Sequence, residues 1–166
     1  MTTTSSFNTG TLTVTTPTER EIMMTRIFDA PRTMIFEAST KPDLLRRWFG
    51  EFGDWSLVVC EIDLRVGGAY RYVWRSPDGS EMGLRGVYRE VVVPERLVTT
   101  ERFDEPWHPG EALATTVLVD EGGKTTLTCT VLYDTQEIRD AVLRTSMTRG
   151  VAAGFDKLAQ VLALSA

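Results

Sequence analysis

One histidine and two cysteines are all the soft ligands this 166-residue chain offers to a metal ion, and they are scattered along it. Zinc and similar sites gather three or four such ligands, so no metal is expected, and nothing in the sequence implies another cofactor. No apolar run approaches the ~20 residues of a membrane-spanning helix. Residues 1–10 have neither a basic segment nor an apolar one, so they do not read as a signal peptide. With 18 basic residues against 23 acidic ones, and no stripe of Lys or Arg interleaved with aromatics, nucleic acid is not an expected partner. The two cysteines, Cys60 and Cys129, lie in separate apolar runs. They read as free, hydrophobe-like thiols in a reducing, cytoplasmic compartment. Gly67-Gly68 lacks the spacing and the following helix of a phosphate loop, and reads as a turn.

What is present is strand-like chemistry followed by a helix. Residues 1–10 are expected to be a disordered polar tail, and residues 11–166 one domain. Residues 11–28 read as a first strand interrupted at Pro17. Asp29-Ala30-Pro31 and Thr40-Lys41-Pro42-Asp43 are helix-start signals in quick succession, predicting two short helices. Six runs rich in Val, Thr, Tyr and Leu follow, at 55–64, 69–75, 81–93, 96–103, 112–120 and 125–133. The turns between them are short, which favours an antiparallel meander of about seven strands. Beyond Asp134 or Thr135 the apolar residues Leu143, Met147, Val151, Phe155, Leu158 and Leu162 recur at helical spacing. Asp134 with Glu137 resembles a capping box, and Thr145-Ser146 or Gly150 marks a place where this long helix is either continuous or broken.

The expected fold is therefore α+β, a curved antiparallel sheet wrapped around a long C-terminal helix. Sheet twist prevents the two layers from touching everywhere, and the gap is a pocket. Its expected wall begins with Tyr70, Tyr72 and Trp74, which alternate onto one face of their strand. Met82, Leu84, Gly86 and Tyr88 continue it on the next strand, Trp48 joins from a short helix, and Met147, Val151 and Phe155 join from the long one. The alternative for each is ordinary core packing. Gly86 leaves room for a large neighbour or for a ligand, and Leu at 86 is expected to block the pocket without unfolding the protein. Ionisable candidates are few. His108 lies in a loop with no nucleophile or orienting carboxylate in a recognisable motif. Glu101 and Arg102 alternate, so whichever faces inward is a buried charge, and Glu61 with Asp63 raises the same question. An inward Glu would have a raised pKa, suited to acid–base work on a carbonyl compound.

Several short motifs carry a family resemblance. They are Arg26-Ile27-Phe28-Asp29-Ala30-Pro31 with Phe36; Lys41-Pro42 leading to Trp48-Phe49-Gly50; Asp63-Leu64-Arg65-Val66-Gly67-Gly68; and Arg75-Ser76-Pro77-Asp78-Gly79. Gly86-Val87-Tyr88, Glu95-Arg96-Leu97-Val98 and Gly150 with Phe155-Asp156-Lys157-Leu158 continue the series. In this order they resemble the SRPBCC (START-like, birch-pollen-allergen-like) superfamily, most nearly homologues of the C-terminal domain of the heat-shock-protein-90 ATPase activator. The resemblance implies a helix-grip fold and a cavity for a small, mainly apolar molecule, with no cofactor and with a homodimer left open. Two alternatives come with it: a cyclase or aromatase-type enzyme using the same cavity, and a chaperone-associated interaction module. The short Thr-rich stretch ahead of the fold departs from the two-domain co-chaperone, so chaperone activation is not the expectation.

Overall fold

Proline decides how the chain starts. The computed structural model describes residues 6–9, 11–105 and 110–164. Strand β1 (Ser6–Thr9) pairs with β2 (Leu12–Thr15), and β2 pairs with β3 (Glu21–Phe28), all antiparallel. Pro17 cannot donate to a ladder, so the expected single strand is a hairpin that turns at this point. The stretch expected to be a disordered tail supplies β1. Its order comes from backbone pairing rather than side-chain burial, since Phe7 stays 42% exposed.

The two expected short helices are α1 (Arg32–Thr40) and α2 (Pro42–Phe49). Pro42 disfavours helical backbone at Lys41, which is extended (φ −100°, ψ 120°) and separates them. A two-residue strand β4 (Glu51–Phe52) precedes β5 (Trp55–Ile62), β6 (Ala69–Arg75), β7 (Glu81–Val92), β8 (Arg96–Phe103), β9 (Ala112–Glu121) and β10 (Lys124–Leu132). All six predicted runs are strands. Among the described residues the sheet has ten strands in the order β1-β2-β3-β10-β9-β8-β7-β6-β5-β4. Those beyond the expected seven are β1, β4 and the extra strand made by the Pro17 hairpin. Gly122 and Gly123, at φ 59° and 84°, form the two-residue turn that lets Glu121 pair with Lys124. Register shifts between Leu57 and Val59 and between Tyr88 and Glu90 bend the sheet.

The C-terminal helix is broken. Helix α3 (Gln136–Leu143) is capped by Thr135, whose hydroxyl accepts from the Ile138 N–H, so Asp134 is not the cap. Thr145 divides the helices: its hydroxyl donates to the Val142 carbonyl at 2.6 Å and accepts from the Met147 N–H at 3.2 Å. Helix α4 (Met147–Leu164) then runs without interruption through Gly150.

Two packed clusters result. One joins Leu158 and Leu162 of α4 to Phe36, Leu45, Trp48 and Phe28. The other joins Leu12, Ile22, Ala112, Ala114 and Val131 of the sheet to Ile138, Val142 and Ala152. Each fully buried aliphatic side chain contributes about 1.5–3 kcal/mol. Cys60 and Cys129 are free thiols, as expected. Among the described residues no helix is long and apolar enough to cross a membrane, and no cluster of metal-ligating side chains exists.

Candidate functional site

The β6–β7 register places Trp74 opposite Met82, Tyr72 opposite Leu84 and Tyr70 opposite Gly86. Directly opposite residues share a face, so the seven expected wall residues of this hairpin lie together. Tyr70 is 5.1 Å from Tyr72 and 5.7 Å from Tyr88, between ring centroids, and Tyr72 is 6.1 Å from Trp74. Phe49, at the end of α2, completes the run, 5.5 Å from Tyr72, 5.1 Å from Trp74 and 5.2 Å from Trp48. Trp48 continues to Phe155 at 6.1 Å, and Phe155 meets Phe28 edge-on at 5.7 Å. A continuous aromatic surface thus links β7 and β6 to α2, α4 and β3. Sequence reasoning missed Phe49 as part of this wall, and its only signal was adjacency to Trp48.

The wall is not uniform. Trp48, Tyr70, Trp74 and Tyr88 are buried. The indole N–H groups of Trp48 and Trp74 donate to the Ala38 and Phe49 carbonyls, at 2.9 and 3.1 Å, so both tie α1 and α2 into place. Tyr72, Met82 and Leu84 are half-buried, and so are Met147, Val151 and Phe155 from α4. The apolar stripe of α4 therefore changes character along its length. Its C-terminal part, at Leu158 and Leu162, is sealed, whereas its N-terminal part keeps accessible surface.

At Gly86 the expected free space is filled. A β-carbon there would overlap the Thr100 carbonyl oxygen and crowd the Tyr70 ring, so the glycine serves backbone and aromatic packing. The Tyr70 hydroxyl is likewise committed, donating to Thr100 O at 2.5 Å. Leu at 86 is thus expected to disrupt the fold, contrary to the reading from sequence.

Of the ionisable candidates, Glu101 faces inward. It pairs with Ala112, a core residue, and is half-buried, while Arg102 is exposed. Glu61 and Asp63 are exposed. Burial pushes the Glu101 carboxyl up to about 7. Burial raises Tyr70, Cys129 and Tyr133, and the Glu101 charge adds to each, which places these groups around it. Burial itself pushes Cys129 and Tyr88 each up to about 12, so they stay neutral at physiological pH. His108 lies outside the described residues. An open cleft of about 500 Å³ lies at Val66, Val87, Arg89, Thr100 and Glu111, and Tyr88 alone of the expected wall reaches it.

Comparison with known proteins agrees with this architecture. The family described as Activator of Hsp90 ATPase homolog 1-like protein matches residues 29–163. A Rhodobacter sphaeroides protein of known structure is 31% identical, with 92% of this chain and 98% of that one covered and a TM-score of 0.87. A Nitrosomonas europaea protein is 25% identical, with coverage of 89% and 97% and a TM-score of 0.77. CalU16 from Micromonospora echinospora, 18% identical with coverage of 98% and 85% and a TM-score of 0.62, is similar in fold. No curated protein matches the chain in sequence.

Proposed function

The chain belongs to the activator of Hsp90 ATPase homolog 1-like family of the SRPBCC superfamily, and from that premise we propose that it holds a small, mainly apolar molecule between its sheet and α4. One observation carries the reading. Tyr72, Met82 and Leu84 on the sheet and Met147, Val151 and Phe155 on α4 belong to the interior apolar surface, yet each keeps accessible area. In a close-packed core such side chains would be sealed, as Leu158 and Leu162 are. Aromatic rings and methionine side chains are adaptable apolar surfaces for a ligand of unspecified shape.

Native mass spectrometry of the purified protein, set against its denatured mass, tests this. A small-molecule adduct lost on denaturation supports the reading and supplies the ligand's mass. If the protein carries no adduct and no apolar compound raises its melting temperature, the reading fails, because a ligand bound only to the native state must stabilise it.

Glu101 favours a second reading, an enzyme acting on a carbonyl substrate in the same space. A carboxyl that titrates near 7 is suited to taking a proton from a carbon next to a carbonyl. Turnover abolished by Glu101→Gln with substrate binding retained is the outcome that reading requires.

A further inference from the structure

Glu101 stands in a row of the sheet whose flanking members are small. Ala112 of β9 lies directly opposite it. On its other side is Gly86 of β7, between the pairs Tyr88–Thr99 and Arg85–Arg102. Beyond these small residues stand tyrosines: Tyr70, paired with Gly86, and Tyr133, which follows β10. The carboxylate thus rises from a low part of the sheet floor between aromatic side chains. Among the described residues no side chain or backbone group hydrogen-bonds to it or forms an ion pair with it.

Among the described residues the titratable groups facing it are uncharged near neutrality, and the one further charge felt by Tyr70 beside it, Glu111, is also negative. Tyr70 and Tyr72 face it from β6, and Cys129 and Tyr133 from the β10 side, and burial raises every one of their pKa values. The apolar stripe of α4 contributes Met147, Val151 and Phe155, none of them ionisable. The two arginines most enclosed by the fold are already engaged. Arg26 is held by Asp156 at 2.5 Å, and Arg139 by Asp140 at 2.8 Å and the Thr18 carbonyl at 2.7 Å.

A carboxylate half-withdrawn from water on an apolar interior face is costly without a cation or donor, and the chain's described residues supply neither. Rings around a carboxylate also favour positive charge, because the aromatic face attracts cations. We infer that Glu101 anchors the ligand by a cationic group, so that the molecule held between sheet and α4 is an apolar amine. This rests on the binding reading above and adds its ligand class. An anionic amphiphile such as a fatty acid would place its carboxylate beside Glu101 and should be rejected.

The test compares octylamine, octanol and octanoate as probes of matched length, by isothermal titration at pH 8, on the protein and on Glu101→Gln. Octylamine should bind at least ~10-fold more tightly than octanol, and octanoate most weakly. The Gln variant should lose about 10- to 100-fold for the amine and change little for the alcohol, as expected for a charge-assisted hydrogen bond. Octanol binding with no amine preference, or with the preference kept in Glu101→Gln, overturns the inference and leaves the binding reading standing. If none of the three binds, both fail. Should the variant not fold, the wild-type amine preference still has to fall between pH 8 and pH 5.5 as Glu101 takes up a proton, and a preference unchanged over that range overturns the inference.

Discussion

Tyr70 donates its hydroxyl proton to the backbone carbonyl of Thr100, at 2.5 Å, across the position where Gly86 has no side chain. The bond crosses from β6 to β8 over the intervening β7, and only a residue without a β-carbon lets it pass. Gly86→Ala should therefore destabilise the protein by about 1–3 kcal/mol or prevent folding, because a backbone carbonyl cannot step aside as a side chain can. Tyr70→Phe should lose about 1–2 kcal/mol, leaving a buried carbonyl short of a partner. Urea denaturation of both variants checks this, and an Ala variant as stable as the parent would contradict the packing described.

The inward Glu101 predicts a pH dependence of stability with an unusual sign for a carboxyl. Its folded pKa, about 7, lies above its ordinary value of 4.5. The folded state then binds this proton more tightly than the unfolded state, so this group's contribution to stability is best at low pH. The contribution is lost as the pH rises through about 7. Its ceiling is about 3 kcal/mol, reduced by the solvent contact Glu101 retains. Glu101→Gln should flatten the stability profile between pH 5 and pH 8 and be the more stable protein at pH 8. Denaturant midpoints measured at several pH values decide it.

Val151 faces the second packed cluster from α4 and is half-buried. Val151→Trp is the substitution that separates an open interior from a packed one. If ligand space lies beneath α4, the indole enters it, stability changes by less than about 1 kcal/mol, and stabilisation by apolar ligands disappears. A loss of 1–3 kcal/mol or more, the usual penalty for overpacking, would instead mean that the layers are already in contact there.

The start of α3 offers a clean comparison of neighbouring residues. Thr135→Ala removes the hydroxyl that accepts from Ile138 N–H and should cost about 1 kcal/mol. Asp134→Ala should change stability by less than about 0.5 kcal/mol, as for a residue outside the cap. Equal losses would return the capping role to Asp134.

Much of the architecture was legible because local rules carried it. The strands over 69–75 and 96–103 stand where alternation and turn residues placed them, and α1 ends where Pro42 makes Lys41 extended. The β6 aromatics share a face for a reason already present in any pleated strand. The errors have equally local causes. Pro17 is compatible with a bulge, an edge or a turn, and pairing with β3 selects the turn. Asp134 and Thr135 both have side chains able to cap a helix, and backbone geometry selects Thr135.

By itself the sequence determined the periodicities: which residues share a strand face, which side of α4 is apolar, and where glycine and proline interrupt. These depend on dihedral preferences and side-chain spacing within a few residues. The tertiary structure alone decided that Glu101 and not Arg102 turns inward, that Gly86 makes room for Tyr70 and Thr100, and that Phe49 joins the aromatic wall. Each of these depends on register between segments distant in sequence. A shift of one residue would reverse every side chain of a strand, and only the packing of the whole sheet against its helices excludes that shift.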